Sequence, residues 1–162
     1  MSGIAATVYL SVFFLFLYLA GLGIRKIIFL RDRARLRRET RLGGRVVARV
    51  SEMQPGSVRK FWLICQKYRA DAFLVNHEGR FHAYVNRCRH MTTPLDFVRN
   101  QFFTEDGRNL ECLTHGAIYE PESGLCIEGP CKGLALYRLP VMIDREEVLV
   151  CCPTGDLSFL EE

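Results

Sequence analysis

Two short stretches decide the fold of this chain: residues 88–95, which read CRHMTTPL, and residues 112–119, which read CLTHGAIY. The first contains a Cys-x-His pair and the second a Cys-x-x-His pair. The four candidate metal ligands are therefore Cys88, His90, Cys112 and His115. Two thiolates and two imidazoles suit a tetrahedral zinc ion, and they equally suit a [2Fe–2S] cluster with both thiolates on one iron. The spacing leaves both possibilities open.

The residues around these pairs resemble the Rieske family, whose members show C-x-H-x-x-x-P-L at the first loop and C-x-x-H-G at the second. The matching positions are Asn86, Pro94, Leu95, Gly116, Tyr119, Ser123, Gly124, Gly129 and Pro130. The resemblance covers about residues 45–150. It implies one Rieske-type [2Fe–2S] cluster on the four candidate ligands, which disfavours zinc. It also implies an antiparallel β domain with a small cluster-binding subdomain.

The same resemblance assigns supporting roles to residues near the ligands. These residues are Arg89, Pro94, Gly116, Ala117, Tyr119, Gly129 and Pro130. We expect the N–H of Gly116 to approach a sulfide and the hydroxyl of Tyr119 to bond a cysteine sulfur. High-potential relatives carry a disulfide between the two ligand loops, and a serine where this chain has Ala117. Because this chain lacks both, we expect a reduction potential of about −150 to +150 mV, in the lower part of the Rieske range.

The other cysteines and histidines lie outside these motifs. Cys126 and Cys131 flank the Gly-Pro pair, where they could form a disulfide, a redox-sensitive pair or two buried thiols; a reducing compartment favours buried thiols. His82 is expected on the surface face of a strand. Three further cysteines in strand-like runs are expected in the core: Cys65, Cys151 and Cys152.

Outward from the motifs, the chain alternates short β-rich runs with turn residues. The runs are residues 46–50, 61–65, 72–76, 81–85, 139–143 and 148–151. Turns are expected at residues 77–80 and 144–146. Short strands with turns between them predict an antiparallel β domain over residues 45–155, followed by a tail over residues 156–162. The ligand motifs fall in two loop-like stretches, residues 86–97 and 112–136.

The N-terminal region has a different composition. Residues 4–24 carry no charged side chain, and as a helix they would extend about 31 Å, which matches a bilayer's hydrocarbon core. Residues 25–49 then hold ten Arg or Lys side chains against two acidic ones. This pattern predicts a transmembrane anchor over residues 1–24 and a basic juxtamembrane helix over residues 25–44. A cleaved signal peptide is the less favoured reading, because the positively charged n-region that it needs is absent before Arg25.

The basic flank further predicts a single-pass membrane protein with its N-terminus outside and the cluster domain on the cytoplasmic side. Expected partners are membrane lipid and a redox protein, with no nucleic acid and no small-molecule substrate. The predicted function is one-electron transfer to or within a membrane-bound redox system, without catalysis by this chain alone. The alternatives are an accessory subunit of a respiratory or photosynthetic membrane complex and, more distantly, a zinc-binding interaction module.

Overall fold

A computed structural model describes residues 3–98 and 100–160, although within that range the side chains of residues 3–17, 38 and 40–42 are not described. The described part contains one α-helix, ten β-strands and two short 3-10 turns. The elements are α1 (Gly3–Leu42), β1 (Gly44–Arg49), β2 (Val58–Cys65), β3 (Tyr68–His77), β4 (Arg80–Val85), β5 (Leu110–Cys112), β6 (Ala117–Tyr119), β7 (Cys126–Glu128), β8 (Arg138–Leu139), β9 (Val141–Asp144) and β10 (Glu147–Cys151). The helix and the strands form two separate compact units that divide near residue 42.

The prediction of a transmembrane anchor is wrong, and with it the prediction of a single-pass protein whose cluster domain lies at the cytoplasmic face of a membrane. Among the described residues, no helix combines the length and the apolar character needed to cross a membrane. The described side chains of α1 are those of residues 18–37 and 39, and eight of them are charged. Charged side chains at this density are costly in a hydrocarbon core. Membrane lipid as a partner is therefore unsupported by the described part of the chain.

Two antiparallel sheets form the body of the β domain. One sheet has the strand order β1-β10-β9, and the other has the order β2-β3-β4-β8. The predicted turn over residues 77–80 is confirmed, since His77 pairs with Arg80 and Gly79 takes a φ of 83°. Glycine reaches this left-handed conformation without the strain that a Cβ would cause, as two-residue hairpin turns require. The predicted turn between β9 and β10 is confirmed as well, because Asp144 pairs with Glu147.

Strand β3 separates two apolar cores. Successive side chains on a strand point to opposite faces, so Ala72 and Leu74 enter one core while Phe73 and Val75 enter the other. The first core fills the space among β1, β2, β3 and β10, and the second lies beneath the metal-ligand motifs. Burial on both faces explains why β3 reads as a continuous apolar run rather than as an alternating one.

A third, small sheet was not predicted. The stretch 112–136 was expected to be a loop, but it contains most of an antiparallel sheet with the order β5-β6-β7. Each of these strands has only three residues, which is too short for an alternating pattern to stand out from the surrounding turn residues. This sheet carries the second ligand motif.

Two other features differ from the expectations. Cys65 and Cys152, expected as separate core residues, form a disulfide across 87 residues of sequence. His82, expected on a surface face, is buried, and its Nδ1 lies 2.8 Å from Nη2 of Arg138. In each of these two contacts the residues are far apart in the sequence, so no local pattern indicated them.

Candidate metal centre

The four candidate ligands lie on two loops that are tied together by the backbone. The first loop follows β4, and the second joins β5 to β6. The N–H of Leu113 donates to the carbonyl of Leu95 over 3.2 Å, which connects one loop to the other. Within the first loop, the N–H of Cys88 donates to the carbonyl of Thr93 over 2.8 Å. The first bond holds the two loops together, and the second closes the first motif into a compact turn.

The loops bring the four side chains together as a buried pair and an exposed pair. The thiols of Cys88 and Cys112 hydrogen-bond to each other, and both residues are buried in the second core. The imidazole rings of His90 and His115 are exposed, with their centroids 4.8 Å apart and their planes perpendicular. The arrangement therefore offers two sulfur donors on the protein side and two nitrogen donors on the solvent side.

The two thiols differ in acidity because one donates a hydrogen bond to the other. The hydrogen bond from Cys112 lowers the pKa of Cys88, and the same bond, together with burial, raises the pKa of Cys112. A thiol must lose its proton to bind a metal, so metal binding at this pair would be coupled to proton release. The pair has the proximity and the chemistry of two thiolate ligands to one iron.

The hydroxyl of Tyr119 lies within hydrogen-bond distance of a cysteine sulfur, as expected from the sequence. This hydroxyl is 3.2 Å from Sγ of Cys88, 3.0 Å from Sγ of Cys131 and 3.1 Å from the backbone N of Arg89. Burial raises the pKa of Tyr119, and its bonds to the two sulfurs raise it further. The hydroxyl therefore keeps its proton and can donate to a sulfur. Sequence analysis did not anticipate the contact with Cys131.

Gly129 and Pro130 form a turn that packs against the second ligand loop. Gly129 has a φ of 99°, and a Cβ at this position would lie 2.8 Å from the Cα of Ala117. Only glycine permits this approach. Ala117 is fully buried and has no polar atom in its side chain, so it cannot donate a hydrogen bond. The N–H of Gly116, expected to approach a sulfide, donates instead to the carbonyl of Cys112 over 2.9 Å.

The remaining predicted supporting residues lie at the edge of the site. Pro94 and Pro130 are exposed beside the ligand loops, where their fixed φ limits backbone motion. The guanidinium of Arg89 stacks over the ring of Tyr137, 4.1 Å from its centroid. The backbone N–H of Arg89 donates to the hydroxyl of Tyr119, whereas its charged guanidinium interacts with the ring of Tyr137.

A polar network that sequence reasoning missed anchors the first ligand loop to the sheet. Asn86 donates to Asp71 over 2.8 Å and to Asp96 over 2.7 Å, and its Oδ1 accepts from the N–H of Leu95. Lys60 on β2 donates to both oxygens of Asp96, over 3.0 and 2.8 Å. The position of Asn86 was the only sequence signal, because Lys60 and Asp96 are 36 residues apart.

Unpartnered polar atoms near the loops help to test whether the site suits a cluster. In the described part of the chain, the buried side-chain N and O atoms without a hydrogen-bond partner are His82 Nε2, Arg89 Nε, Thr93 Oγ1 and Thr114 Oγ1. Three of these four atoms belong to the ligand loops. Buried donors are costly unless an acceptor is present, and sulfur atoms of a bound cluster are acceptors. Together with two thiols and two imidazoles, they form a set that fits a [2Fe–2S] cluster with mixed ligation.

Comparisons with known proteins agree with this geometry. A family model for the Rieske [2Fe-2S] domain matches residues 44–140. A chain from a solved complex of reduced oxygenase and oxidized ferredoxin in carbazole 1,9a-dioxygenase is 26% identical, with a TM-score of 0.54, covering 67% of this chain and 93% of that chain. No curated protein sequence matches significantly.

Two solved ferredoxins share the fold at lower identity. The ferredoxin of carbazole 1,9a-dioxygenase from Nocardioides aromaticivorans IC177 is 22% identical with a TM-score of 0.51, covering 67% of this chain and 96% of that chain. The Sphingomonas yanoikuyae B1 ferredoxin is 21% identical with a TM-score of 0.52, covering 68% and 99% respectively. At these identities the likeness is one of fold, and it extends over nearly the whole length of each ferredoxin.

Proposed function

Because the chain belongs to the Rieske [2Fe–2S] domain family and carries a Rieske-type cluster as an electron carrier, we propose that it delivers single electrons to an oxygenase-type partner protein, with Cys88, His90, Cys112 and His115 as the cluster ligands. The observation that carries the assignment of ligands is the meeting of a buried thiol pair and an exposed imidazole pair on two joined loops. The oxygenase partner is suggested by the relative taken from an oxygenase–ferredoxin complex.

The bound cluster would supply a reversible one-electron couple, whose potential is set by its ligands, hydrogen bonds and exposure. The protein's residues determine how that couple is used. Cys88 and Cys112 would hold the inner iron away from water, since both are buried. His90 and His115 would face the solvent, where a partner can approach.

Two exposed apolar side chains in the segment that follows His90 support docking of a protein rather than binding of a small molecule. Met91, next to His90, is 51% exposed, and Phe97 in the same segment is 75% exposed. Exposed apolar residues around a redox centre favour a close, partly dry contact, and electron transfer needs such a contact only briefly. Met91 and Phe97 are therefore candidates for contact with the partner.

The assignment is tested on the full chain, purified anaerobically. Iron and acid-labile sulfide should each reach two per chain, and the reduced protein should give a rhombic EPR spectrum typical of mixed Cys/His ligation. His90→Ala and His115→Ala should lose the cluster, whereas the control His77→Ala, at the end of β3, should retain it. Stoichiometric zinc without iron would contradict the proposal and favour the zinc-binding module.

The partner is tested separately. The reduced protein is mixed with the oxygenase component of carbazole 1,9a-dioxygenase, and oxidation of the carrier is followed by its visible absorbance. Transfer that slows several-fold in Phe97→Ser, with an unchanged cluster spectrum, would support the docking surface. Equal rates for Phe97→Ser and the wild-type protein would place the contact elsewhere.

A further inference from the structure

The hydroxyl of Tyr119 has three close neighbours but only one hydrogen. Sγ of Cys88, Sγ of Cys131 and the backbone N of Arg89 lie 3.2, 3.0 and 3.1 Å from it. The N–H of Arg89 can only donate, so it occupies one lone pair of the oxygen. When Cys88 ligates iron its sulfur is a thiolate, which can only accept. The single hydroxyl hydrogen is therefore directed to Cys88.

This assignment leaves one lone pair of the Tyr119 oxygen for Cys131. The thiol of Cys131 could also donate to Sγ of Cys126 at 3.2 Å, but sulfur is a weak acceptor compared with a hydroxyl oxygen. Cys126 donates its own S–H to the carbonyl of Glu128 over 3.1 Å, so its sulfur lone pairs are the acceptor that competes for the hydrogen of Cys131. Burial raises the pKa of Cys126 to about 11, so this neighbouring thiol stays protonated at neutral pH. The tyrosine oxygen is the nearer and the stronger of the two acceptors, so the S–H of Cys131 is directed to Tyr119.

We infer that Cys131 is a positioning residue for the electron-transfer centre: its S–H donates to the Tyr119 hydroxyl and so holds the hydroxyl hydrogen on the sulfur of Cys88. This inference rests on the proposed function. A hydrogen bond to a ligand sulfur stabilises the more negative, reduced cluster and raises its potential. Donation into the tyrosine oxygen polarises its O–H and strengthens the bond that follows in the chain.

The three side chains that form this series of hydrogen bonds are all buried. Tyr119 is fully buried, and Cys88 and Cys131 are 3% and 4% exposed. No bulk water can therefore replace the thiol donor without rearrangement of the Gly129–Pro130 turn. Loss of the S–H should leave the tyrosine in place but weaken its bond to the ligand.

The test measures the midpoint potential of the cluster by protein-film voltammetry in matched variants. Tyr119→Phe should lower the equilibrium constant for reduction at least about tenfold, which is about 59 mV for one electron. Cys131→Ala should lower it about threefold, or about 28 mV by the same conversion. Cys131→Ser, which keeps a donor, should stay near the wild-type value. Cys126→Ala, which removes a thiol on the strand paired with Tyr119 that donates to Glu128 rather than to the tyrosine hydroxyl, should change the potential least.

The decisive measurement is the double variant. If Cys131 acts through Tyr119, adding Cys131→Ala to Tyr119→Phe should cause no further fall in potential. An equal fall in both backgrounds, or a Cys131→Ser value as low as that of Cys131→Ala, would overturn the inference. Its failure is distinct from failure of the proposed function, in which the wild-type protein would hold no [2Fe–2S] cluster. If Cys131→Ala does not accumulate folded, comparison of Cys131→Ser with a cysteine-to-valine change at 131 gives the same contrast.

Discussion

Replacing Lys60 by methionine should strongly destabilise the β domain and loosen the first ligand loop. The ammonium group of Lys60 donates to both carboxylate oxygens of Asp96 and lies 3.3 Å from Asp71. The side chain of Asp96 is only 1% exposed, whereas that of Lys60 is 32% exposed. Methionine keeps the length and apolar stem of lysine but removes the charge. It leaves a buried carboxylate whose positive partner is gone.

The size of the effect follows from this burial. Removing one partner of a buried ion pair costs about 3–5 kcal/mol, because the other charge stays desolvated. The partial exposure of Lys60 and the bond from Asn86 to Asp96 place the expected loss near 3 kcal/mol. With a urea m-value of about 1–3 kcal/mol/M, the unfolding midpoint should fall by about 1–3 M.

Unfolding can be followed by the fluorescence of Trp62, which is the only tryptophan of the sequence and lies two residues after Lys60 on β2. The matched control is Arg59→Met on the same strand. Arg59 pairs with Glu52 at 3.0 Å, but both side chains are well exposed, at 40% and 46%. An exposed pair contributes about 0–1 kcal/mol, so this control should shift the midpoint little. Equal shifts for Lys60→Met and Arg59→Met would refute the reasoning.

The pH dependence gives a second check on Lys60. Burial alone would lower the pKa of Lys60, but its hydrogen bond to Asp96 and the nearby Asp71 outweigh burial and raise it. Burial would raise the pKa of Asp96, yet its bonds from Lys60 and Asn86 lower it. The pair's stabilisation should therefore be lost as pH falls below about 3.9 and as it rises above about 10.4, the unfolded values. The difference between wild type and Lys60→Met should be largest between these limits.

Three other changes test separate parts of the structure. Gly129→Ala should destabilise the protein by more than the about 1–3 kcal/mol that a positive φ costs by itself, because the added Cβ would meet Ala117. The control Gly133→Ala, with a φ of 90° and no atom within 4 Å of the added Cβ, should show only the cost of the φ. Equal unfolding midpoints for the two variants would contradict this packing. Tyr84→Phe should cost about 1–2 kcal/mol in chemical denaturation, since the buried hydroxyl shares its one hydrogen between the carbonyls of Pro121 and Glu122 at 2.9 and 3.0 Å; an unchanged midpoint would mean that water replaces it. Cys152→Ser should cost about 2–4 kcal/mol through loss of the disulfide to Cys65 across 87 residues, whereas Cys151→Ser should cost less; chemical denaturation of both variants measures this, and equal unfolding midpoints would contradict it.

The order of small sequence motifs was sufficient to predict the family and the cluster. Cys-x-His and Cys-x-x-His left zinc and iron open, and the flanking Pro94, Gly116 and Tyr119 decided between them. The hairpin at residues 77–80 was also readable, because a turn with left-handed residues between β-rich runs has a local signature. Such features depend on neighbours in sequence, so the sequence alone contains them. The identity of the four ligands remains a prediction from that pattern.

The apolar N-terminal stretch shows the opposite case. Residues 4–24 matched the length of a membrane span, yet the described helix carries charged side chains along its later turns, and no spanning helix was found among the described residues. Hydropathy within one window says nothing about how far a helix continues. The helix extends to Leu42, through most of the helix predicted over residues 25–44, so the error lies in the membrane-spanning role of the first part.

Only the tertiary structure decided which residues support the site. Lys60 meets Asp96 across 36 residues, Cys65 meets Cys152 across 87, and Cys131 reaches the hydroxyl of Tyr119 through a turn over the ligand loop. These contacts join segments that are brought together by strand pairing and by burial of two cores on either side of β3. Side-chain partners of this kind depend on distances through space, which no local pattern of residues encodes. The sequence by itself determined the chemistry of the centre, and packing determined the hydrogen bonds that surround it.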